Sequence, residues 1–122
     1  MQKKILIVDD EHDILTSVKM FVESLGYAAK TVDNGKNALD MLKKERFDLV
    51  LLDMLMPQMS GKEVLENIRA NRLLKDQKVA FLTVVQLNQN GTDIIEKLKP
   101  VDYIEKPVDA GVFKKKLHKI LG

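Results

Sequence analysis

The chain contains no cysteine and no tryptophan, and its aromatic residues are only four phenylalanines and two tyrosines. The absence of cysteine excludes disulfide bonds, thiolate metal sites and a cysteine nucleophile. No apolar run approaches the roughly 18 residues that span a membrane, and the N-terminus lacks the pattern of a signal peptide. We therefore expect a cytoplasmic domain that has no membrane partner.

The chain also lacks an excess of charge of one sign, since 20 basic residues stand against 18 acidic ones and the formal net charge is +2. Domains dedicated to nucleic acid normally have a strong basic excess, so direct nucleic-acid binding is not expected. A length of 122 residues allows one compact core and not two. We expect a single domain over residues 1–122.

Short apolar runs alternate with helical stripes about five times along the chain. The apolar runs predict strands at residues 5–8, 27–32, 49–52, 79–85 and 101–105. Capping-box spacing at Ser60 and Glu63, and an N-cap residue at Asp109, mark the starts of two helices. Another short helix is predicted from about Thr92. The alternation predicts an α/β fold, with helices on both sides of a parallel sheet.

Polar residues follow the predicted strands where each strand ends. Asp9 and Asp10 follow the first strand, and Asp53 ends the third. Thr83 lies late in the fourth strand, and Lys106 follows the fifth. Functional sites in open parallel sheets form beyond the carboxyl ends of the strands, so we expect these side chains to meet.

Such a pocket suits phosphoryl transfer. Three carboxylates repel one another unless a cation intervenes, and Mg²⁺ prefers oxygen ligands of this kind. A carboxylate such as Asp53, placed between a metal ion and Lys106, can attack a phosphoryl group and form an acyl phosphate. The Thr83 hydroxyl could donate a hydrogen bond to the attached group.

At these residues the chain resembles the receiver domains of two-component response regulators. The resemblance rests on residues 8–10, on residues 48–61 with Asp53, Met56, Pro57 and Gly61 in their expected places, on residues 81–83 and on residues 102–107. It covers essentially the whole chain in order, and it implies a flavodoxin-like three-layer fold. That fold has five helices and five parallel strands in the order 2-1-3-4-5.

The resemblance also implies the roles of individual residues. Asp53 would accept phosphate from a sensor histidine kinase or a phosphotransfer protein. Asp9 or Asp10 and the backbone carbonyl of Leu55 would help Asp53 to hold Mg²⁺.

The same resemblance implies a switch between two conformations of one face. Thr83 would move toward the phosphate while Tyr103 changes its burial, altering the face built from the fourth helix, the fifth strand and the fifth helix. A downstream protein target, or a phosphorylation-dependent homodimer, would respond to that change. Tyr103 as ordinary half-buried packing is the alternative interpretation.

The chain departs from the usual receiver pattern at several positions. Val84 stands where a small residue is usual, which predicts slow reaction with small phosphodonors. Leu55 and Val85 are apolar and cannot orient an attacking water, which predicts a long-lived acyl phosphate. Pro100 would end the fourth helix early and stiffen its exit.

Two alternatives come from other functional classes. A haloacid-dehalogenase-like phosphatase would need its nucleophile after the first strand and an acid two residues later, which Asp9 and Glu11 match poorly. A degenerate receiver that serves only as an interaction or dimerisation surface is the other. For the paired acids Asp9 and Asp10, a simple role in capping the first helix is the alternative to metal binding.

Overall fold

A computed structural model describes residues 2–84 and 96–122. In these ranges the five strands are β1 (Lys4–Val8), β2 (Ala28–Val32), β3 (Leu49–Asp53), β4 (Val79–Thr83) and β5 (Asp102–Glu105). The helices are α1 (His12–Ser24), α2 (Gly35–Lys44), α3 (Gly61–Ala70) and the C-terminal helix (Ala110–Leu121). The short helix predicted from about Thr92 begins outside the described residues. Val85, the predicted end of the fourth strand, also lies outside them.

All five strands are parallel, and their order is β2-β1-β3-β4-β5. This is the flavodoxin-like order that the resemblance implied. The register brings the carboxyl ends of neighbouring strands level: Val8 lies beside Leu52, and Asp53 lies beside Leu82. Residues that follow β1, β3 and β4 therefore reach the same edge of the sheet.

Buried apolar side chains pack on both faces of the sheet, because successive strand residues point to opposite sides. Leu6 and Val50 belong to the core beneath α2 and α3, whereas Ile5 and Leu49 belong to the core beneath α1 and the C-terminal helix. Every residue of β3 is buried. This strand is therefore buried on both faces of the sheet, which explains why its apolar run is continuous.

The helix starts agree with the sequence signals. Ser60 and Glu63 form a reciprocal capping box at the start of α3. The Asp109 carboxylate accepts the backbone N–H of Val112 at 2.9 Å. Among the residues that the structure describes, no helix is long and apolar enough to cross a membrane.

Lys116 on the C-terminal helix is only partly exposed, although the run of lysines there predicts a solvated face. Its ammonium donates to the backbone carbonyl of Tyr103 in β5 and lies 3.4 Å from the Asp102 carboxylate. Because β5 is an edge strand, this lysine satisfies a carbonyl that would otherwise lack a strand partner. Lys116 thus differs from Lys114 and Lys115, whose side chains are exposed.

Candidate functional site

Three acidic side chains meet at the carboxyl edge of the sheet. Asp9 and Asp10 follow β1, and Asp53 ends β3, which is the strand next to β1. One carboxylate oxygen from each residue lies within 4.8 Å of the other two. The predicted convergence of these acids is therefore present in the structure.

Lys106 joins the two buried members of this group. Its ammonium nitrogen lies 2.6 Å from Asp9 Oδ2 and 3.3 Å from Asp53 Oδ1. Asp9 is fully buried, Asp53 is 5% exposed and the Lys106 side chain is 7% exposed, whereas Asp10 faces solvent. Buried carboxylates are costly unless a charge and hydrogen bonds compensate them, and the lysine supplies that compensation here.

Backbone N–H groups also donate hydrogen bonds to the buried acids. The N–H of Glu11 donates to Asp9 Oδ1 at 2.9 Å, and the N–H of Leu55 donates to Asp53 Oδ1 at 3.3 Å. Glu11, rather than Asp9 or Asp10, occupies the N-cap position of α1. Capping of α1 therefore does not account for the exposed acid Asp10.

The electrostatic environment perturbs both Asp53 and Lys106. Burial, reinforced by the negative charge of Asp9, raises the pKa of Asp53 to about 6, against the opposing effects of Lys106 and of the Leu55 N–H. For Lys106, burial disfavours the charged form, but the hydrogen bond to Asp9 and the charges of both acids outweigh it and raise its pKa. Three carboxylates therefore share one ammonium group, and their charge is incompletely balanced at neutral pH.

Gly61 sets the path of the loop that follows Asp53. The Gly61 N–H donates to the Met54 carbonyl at 3.0 Å, so that α3 begins directly against the end of β3. A Cβ atom at Gly61 would lie 2.3 Å from the Asp53 carbonyl oxygen. Only glycine permits this approach, which gives a physical reason for the glycine in the receiver-like motif.

Thr83 ends β4, is 6% exposed, and accepts the Lys106 backbone N–H on its carbonyl at 2.9 Å. The next residue, Val84, is 69% exposed, and Leu55 is 59% exposed. Two apolar side chains are thus presented to solvent close in sequence to the site residues. Val85, which carried part of the prediction of a long-lived phosphate, lies outside the described residues.

Tyr103 is half-buried in β5. Its ring stacks on Phe81 with a centroid separation of 6.0 Å, and its hydroxyl is buried without a hydrogen-bond partner among the residues described. Burial, together with the charge of Glu96, raises the pKa of this phenol. The half-buried packing is confirmed, whereas the switching role remains a prediction.

Two polar contacts were not foreseen from the sequence. The exposed His12 side chain lies 3.1 Å from an Asp33 carboxylate oxygen. The Arg69 guanidinium donates to four backbone carbonyls, those of Lys75, Gln77, Leu98 and Lys99. Backbone carbonyls carry no residue signature, so no pattern in the sequence could have revealed the Arg69 contacts.

Comparison with known proteins agrees with this geometry. The family model described as the response regulator receiver domain matches residues 5–118. The chain belongs to this family. It is 39% identical over 109 residues to the transcriptional regulatory protein CrdR of Helicobacter pylori, covering 89% of the chain and 50% of that protein. It is 38% identical over 125 residues to the chemotaxis protein CheY-3 of Vibrio cholerae, covering 96% of the chain and 90% of that protein.

Solved receiver structures superpose on nearly the whole chain. The chemotaxis protein CheY4 of Vibrio cholerae has a TM-score of 0.91 at 26% identity, covering 99% of this chain and all of that one. The receiver domain of a sensor histidine kinase from Pseudomonas aeruginosa has a TM-score of 0.86 at 25% identity, covering 98% of this chain and 97% of that one. The latter structure contains a magnesium ion coordinated in its active-site cleft.

Membership of the receiver family removes the main support for the phosphatase alternative. That alternative also needs an accessible nucleophile after β1, yet Asp9 is fully buried and lies 2.6 Å from the Lys106 ammonium. Glu11, the candidate second acid, is exposed at the start of α1. The Asp9 and Glu11 pair therefore matches that alternative poorly.

Proposed function

We propose that the chain is a single receiver domain over residues 1–122, which accepts a phosphoryl group on Asp53 from the phosphohistidine of a sensor histidine kinase or phosphotransfer protein. One observation carries the proposal. The Asp53 carboxylate, at the end of a fully buried strand, lies 3.3 Å from the Lys106 ammonium and within 4.8 Å of two other carboxylates. This combination of nucleophile, fixed cation and divalent-ion ligands suits phosphoryl transfer.

In the proposed reaction an Asp53 carboxylate oxygen attacks the phosphorus atom. A P–O bond forms as the P–N bond to the donor histidine breaks, and the bonding electron pair leaves with the imidazole. Lys106 is held beside Asp53 by its contact with Asp9, so that its ammonium can pair with a phosphoryl oxygen as charge develops. The chain turns over no separate substrate, and its product is its own acyl phosphate.

The donor set fits Mg²⁺, because it consists of oxygen ligands alone. Asp9, Asp10 and Asp53 offer carboxylate oxygens, and we assign the backbone carbonyl of Leu55 as a further ligand. The magnesium ion in the active-site cleft of the related kinase receiver domain supports the binding of Mg²⁺ at this site. When bound, the ion would offset the charge of the acids and of the incoming phosphoryl group.

The output we propose is a change in one surface. Phosphorylation adds roughly −1.5 to −2 charges at Asp53, and the Thr83 hydroxyl would donate to the new phosphoryl oxygens. Tyr103, whose buried hydroxyl lacks a partner among the described residues, would change its burial in response. The surface of the predicted fourth helix, β5 and the C-terminal helix would then bind a downstream protein or a second copy of the chain.

The test of the phosphoacceptor is mass spectrometry after incubation with acetyl phosphate and Mg²⁺. We expect one added phosphate in the unmodified chain, lost on hydroxylamine treatment and absent from Asp53→Asn. Asp102→Asn, which removes a partly buried carboxylate at the other end of the sheet, should keep the adduct. No adduct on the unmodified chain would favour a degenerate receiver, and an adduct that survives Asp53→Asn would place the acceptor elsewhere.

A separate calorimetric titration tests the metal ligands. Asp10→Asn should weaken Mg²⁺ binding, because Asp10 is the exposed member of the acidic group and contributes no buried ion pair. Asp33→Asn is the matched control, since Asp33 follows β2 at the same edge of the sheet but lies outside the acidic group. Equal Mg²⁺ affinity in the two variants would exclude Asp10 as a ligand.

A further inference from the structure

Positive charge collects at the amino ends of β4 and β5, the end of the sheet opposite Asp53. Two adjacent cavities of about 380 and 210 Å³ share Lys78 and Val101 in their linings. We call the depression that they form the basic track. Its cationic side chains are Arg69, Lys75, Lys78, Lys97, Lys99 and Lys119.

The charge of the basic track is poorly compensated. In the part of the chain that the structure describes, six cations line it against two acids, Asp76 and Asp102, and Asp102 is already paired with Lys116. Among the described residues, none of the six cations forms an ion pair with a carboxylate. The whole chain has a net charge of only +2, so the remainder of the molecule is net negative. The track is therefore a local positive field and not part of a uniformly basic surface.

Arg69 holds the two walls of the basic track together. Its guanidinium donates to the carbonyls of Lys75 and Gln77, which precede β4, and to those of Leu98 and Lys99, which precede β5. These contacts fix the backbone that carries Lys75 on one wall and Lys99 on the other. The spacing of the cations is thereby set before any ligand arrives, which lowers the entropy cost of binding.

The lining of the basic track indicates which kind of polyanion it fits. Val101 is 42% exposed in the shared part of the track, and Ile120 lies beside it. A polyphosphate has no apolar group to place against Val101. Among the residues that the structure describes, no aromatic side chain lines either cavity, so none is placed to stack on a nucleic-acid base. An acidic peptide that also carries an apolar side chain satisfies both the cations and Val101.

We propose that the basic track binds an acidic peptide segment of a partner protein, with carboxylates on the lysines and an apolar side chain on Val101. β4 runs from Val79 beside the track to Thr83 beside the phosphoacceptor site, a distance of roughly 13 Å for a strand of this length. The track is thus spatially separate from Asp53. We expect this binding in the metal-free, unphosphorylated chain.

The test is an NMR titration of the full chain at low salt with a blocked peptide that has a central leucine flanked by pairs of glutamates. Amide shifts should change around Lys78, Lys99 and Val101. The double variant Lys97→Gln/Lys99→Gln should weaken binding by about fivefold or more, because two pairing charges are lost. The matched control Lys114→Gln/Lys115→Gln removes the same charge from exposed positions outside the track and should change the affinity by less than about twofold.

Further titrations compare the acidic peptide with other ligands and test the contribution of Val101. A peptide with glutamine in place of glutamate should not bind, and Val101→Ser should weaken binding of the acidic peptide. Asp53→Asn should bind as the unmodified chain does, so that this test is independent of the phosphoacceptor proposal. Equal weakening in the two lysine pairs would overturn the proposal. So would tighter binding of oligothymidylate or tripolyphosphate than of the acidic peptide.

Discussion

The Lys106 ammonium lies 2.6 Å from Asp9 Oδ2, although 97 positions separate the two residues in the chain. Asp9 follows β1 and Lys106 follows β5, and β3 and β4 lie between these strands in the sheet. The ion pair therefore exists only when four of the five strands are assembled. Formation of the site and closure of the fold are linked through this contact.

Replacing Lys106 should make the fold dependent on divalent ions. Lys106→Met leaves Asp9 and Asp53 buried without a cation, and we expect the free energy of unfolding to fall by about 2–4 kcal/mol at neutral pH. Mg²⁺ should restore part of the loss. Urea unfolding with and without Mg²⁺ measures both effects.

Lys116→Met is the control for this experiment. Lys116 also pairs with an aspartate, but its side chain is 31% exposed and the pair is remote from the acidic group. Its loss should cost about 1 kcal/mol or less, and Mg²⁺ should not change that cost. Similar losses and a similar response to Mg²⁺ in both variants would refute the special role of Lys106.

Asp53 should destabilise the metal-free fold as pH rises. Its pKa is raised to about 6, so between pH 4 and 6 the folded state holds more protons than the unfolded state. Stability is then lost as pH rises through this window. Asp53→Asn, which cannot ionise, should be more stable than the unmodified chain by on the order of 2 kcal/mol at pH 7 without Mg²⁺.

The advantage of Asp53→Asn should shrink toward zero below about pH 4, where Asp53 is protonated in both states. Thermal or urea unfolding across this pH range shows whether the stability difference between Asp53→Asn and the unmodified chain changes in this direction. Asp33→Asn provides the comparison, because the exposed His12 side chain lowers the pKa of Asp33 and the expected trend is opposite. If the stability advantage of Asp53→Asn grew at low pH, the raised pKa of Asp53 would be contradicted.

A methyl group at Gly61 should damage the site through the backbone. Gly61→Ala places Cβ 2.3 Å from the Asp53 carbonyl oxygen and 2.8 Å from Met54 Cα. Neither atom is the flexible end of a side chain, so the loop must shift. We expect a loss of about 2–4 kcal/mol in unfolding free energy and slower phosphorylation of Asp53.

Gly111→Ala is the control, since Gly111 lies in the C-terminal helix and its added Cβ would make only an ordinary contact at 3.4 Å. Alanine favours a helix by about 1 kcal/mol over glycine, so this variant should be neutral or more stable. Equal stability of the two glycine variants would show that the Gly61 contact is not restrictive.

Val84→Ala should speed the reaction with small phosphodonors such as acetyl phosphate, because a smaller side chain widens the approach to Asp53. The rate of adduct formation by mass spectrometry is the measurement. Val112→Ala, which removes the same atoms from an exposed valine on the C-terminal helix, should leave the rate unchanged. An unaltered rate in Val84→Ala would rule out the steric explanation.

Leu55→Asn should shorten the lifetime of the acyl phosphate. The Leu55 side chain is 59% exposed, and its backbone N–H contacts Asp53, so a polar side chain there can orient a water molecule toward the phosphoryl group. The decay of the adduct after removal of the donor gives the lifetime. Decay within seconds in the unmodified chain with Mg²⁺ would contradict the predicted long lifetime.

Much of the fold was predictable because its signals are local. The continuous apolar run before Asp53 marked a strand buried on both faces, and the Ser60–Glu63 spacing marked the start of α3. Arg69 shows the limit of such reasoning, because its partners are carbonyls up to 30 positions away. Lys116 shows the same limit. Its contacts with the edge strand β5 cannot be read from the sequence of the helix that carries it.

The sequence by itself determined the alternation of strands and helices and the placement of acids at strand ends, because periodicity and burial act over a few residues. Only the tertiary structure decided that Lys106 bridges Asp9 and Asp53 while Asp10 stays exposed, and that six cations form the basic track. Side-chain distances and burial depend on strand register and on packing between segments that are remote in the chain. Those properties arise when the sheet is assembled and are not encoded at any single stretch of residues.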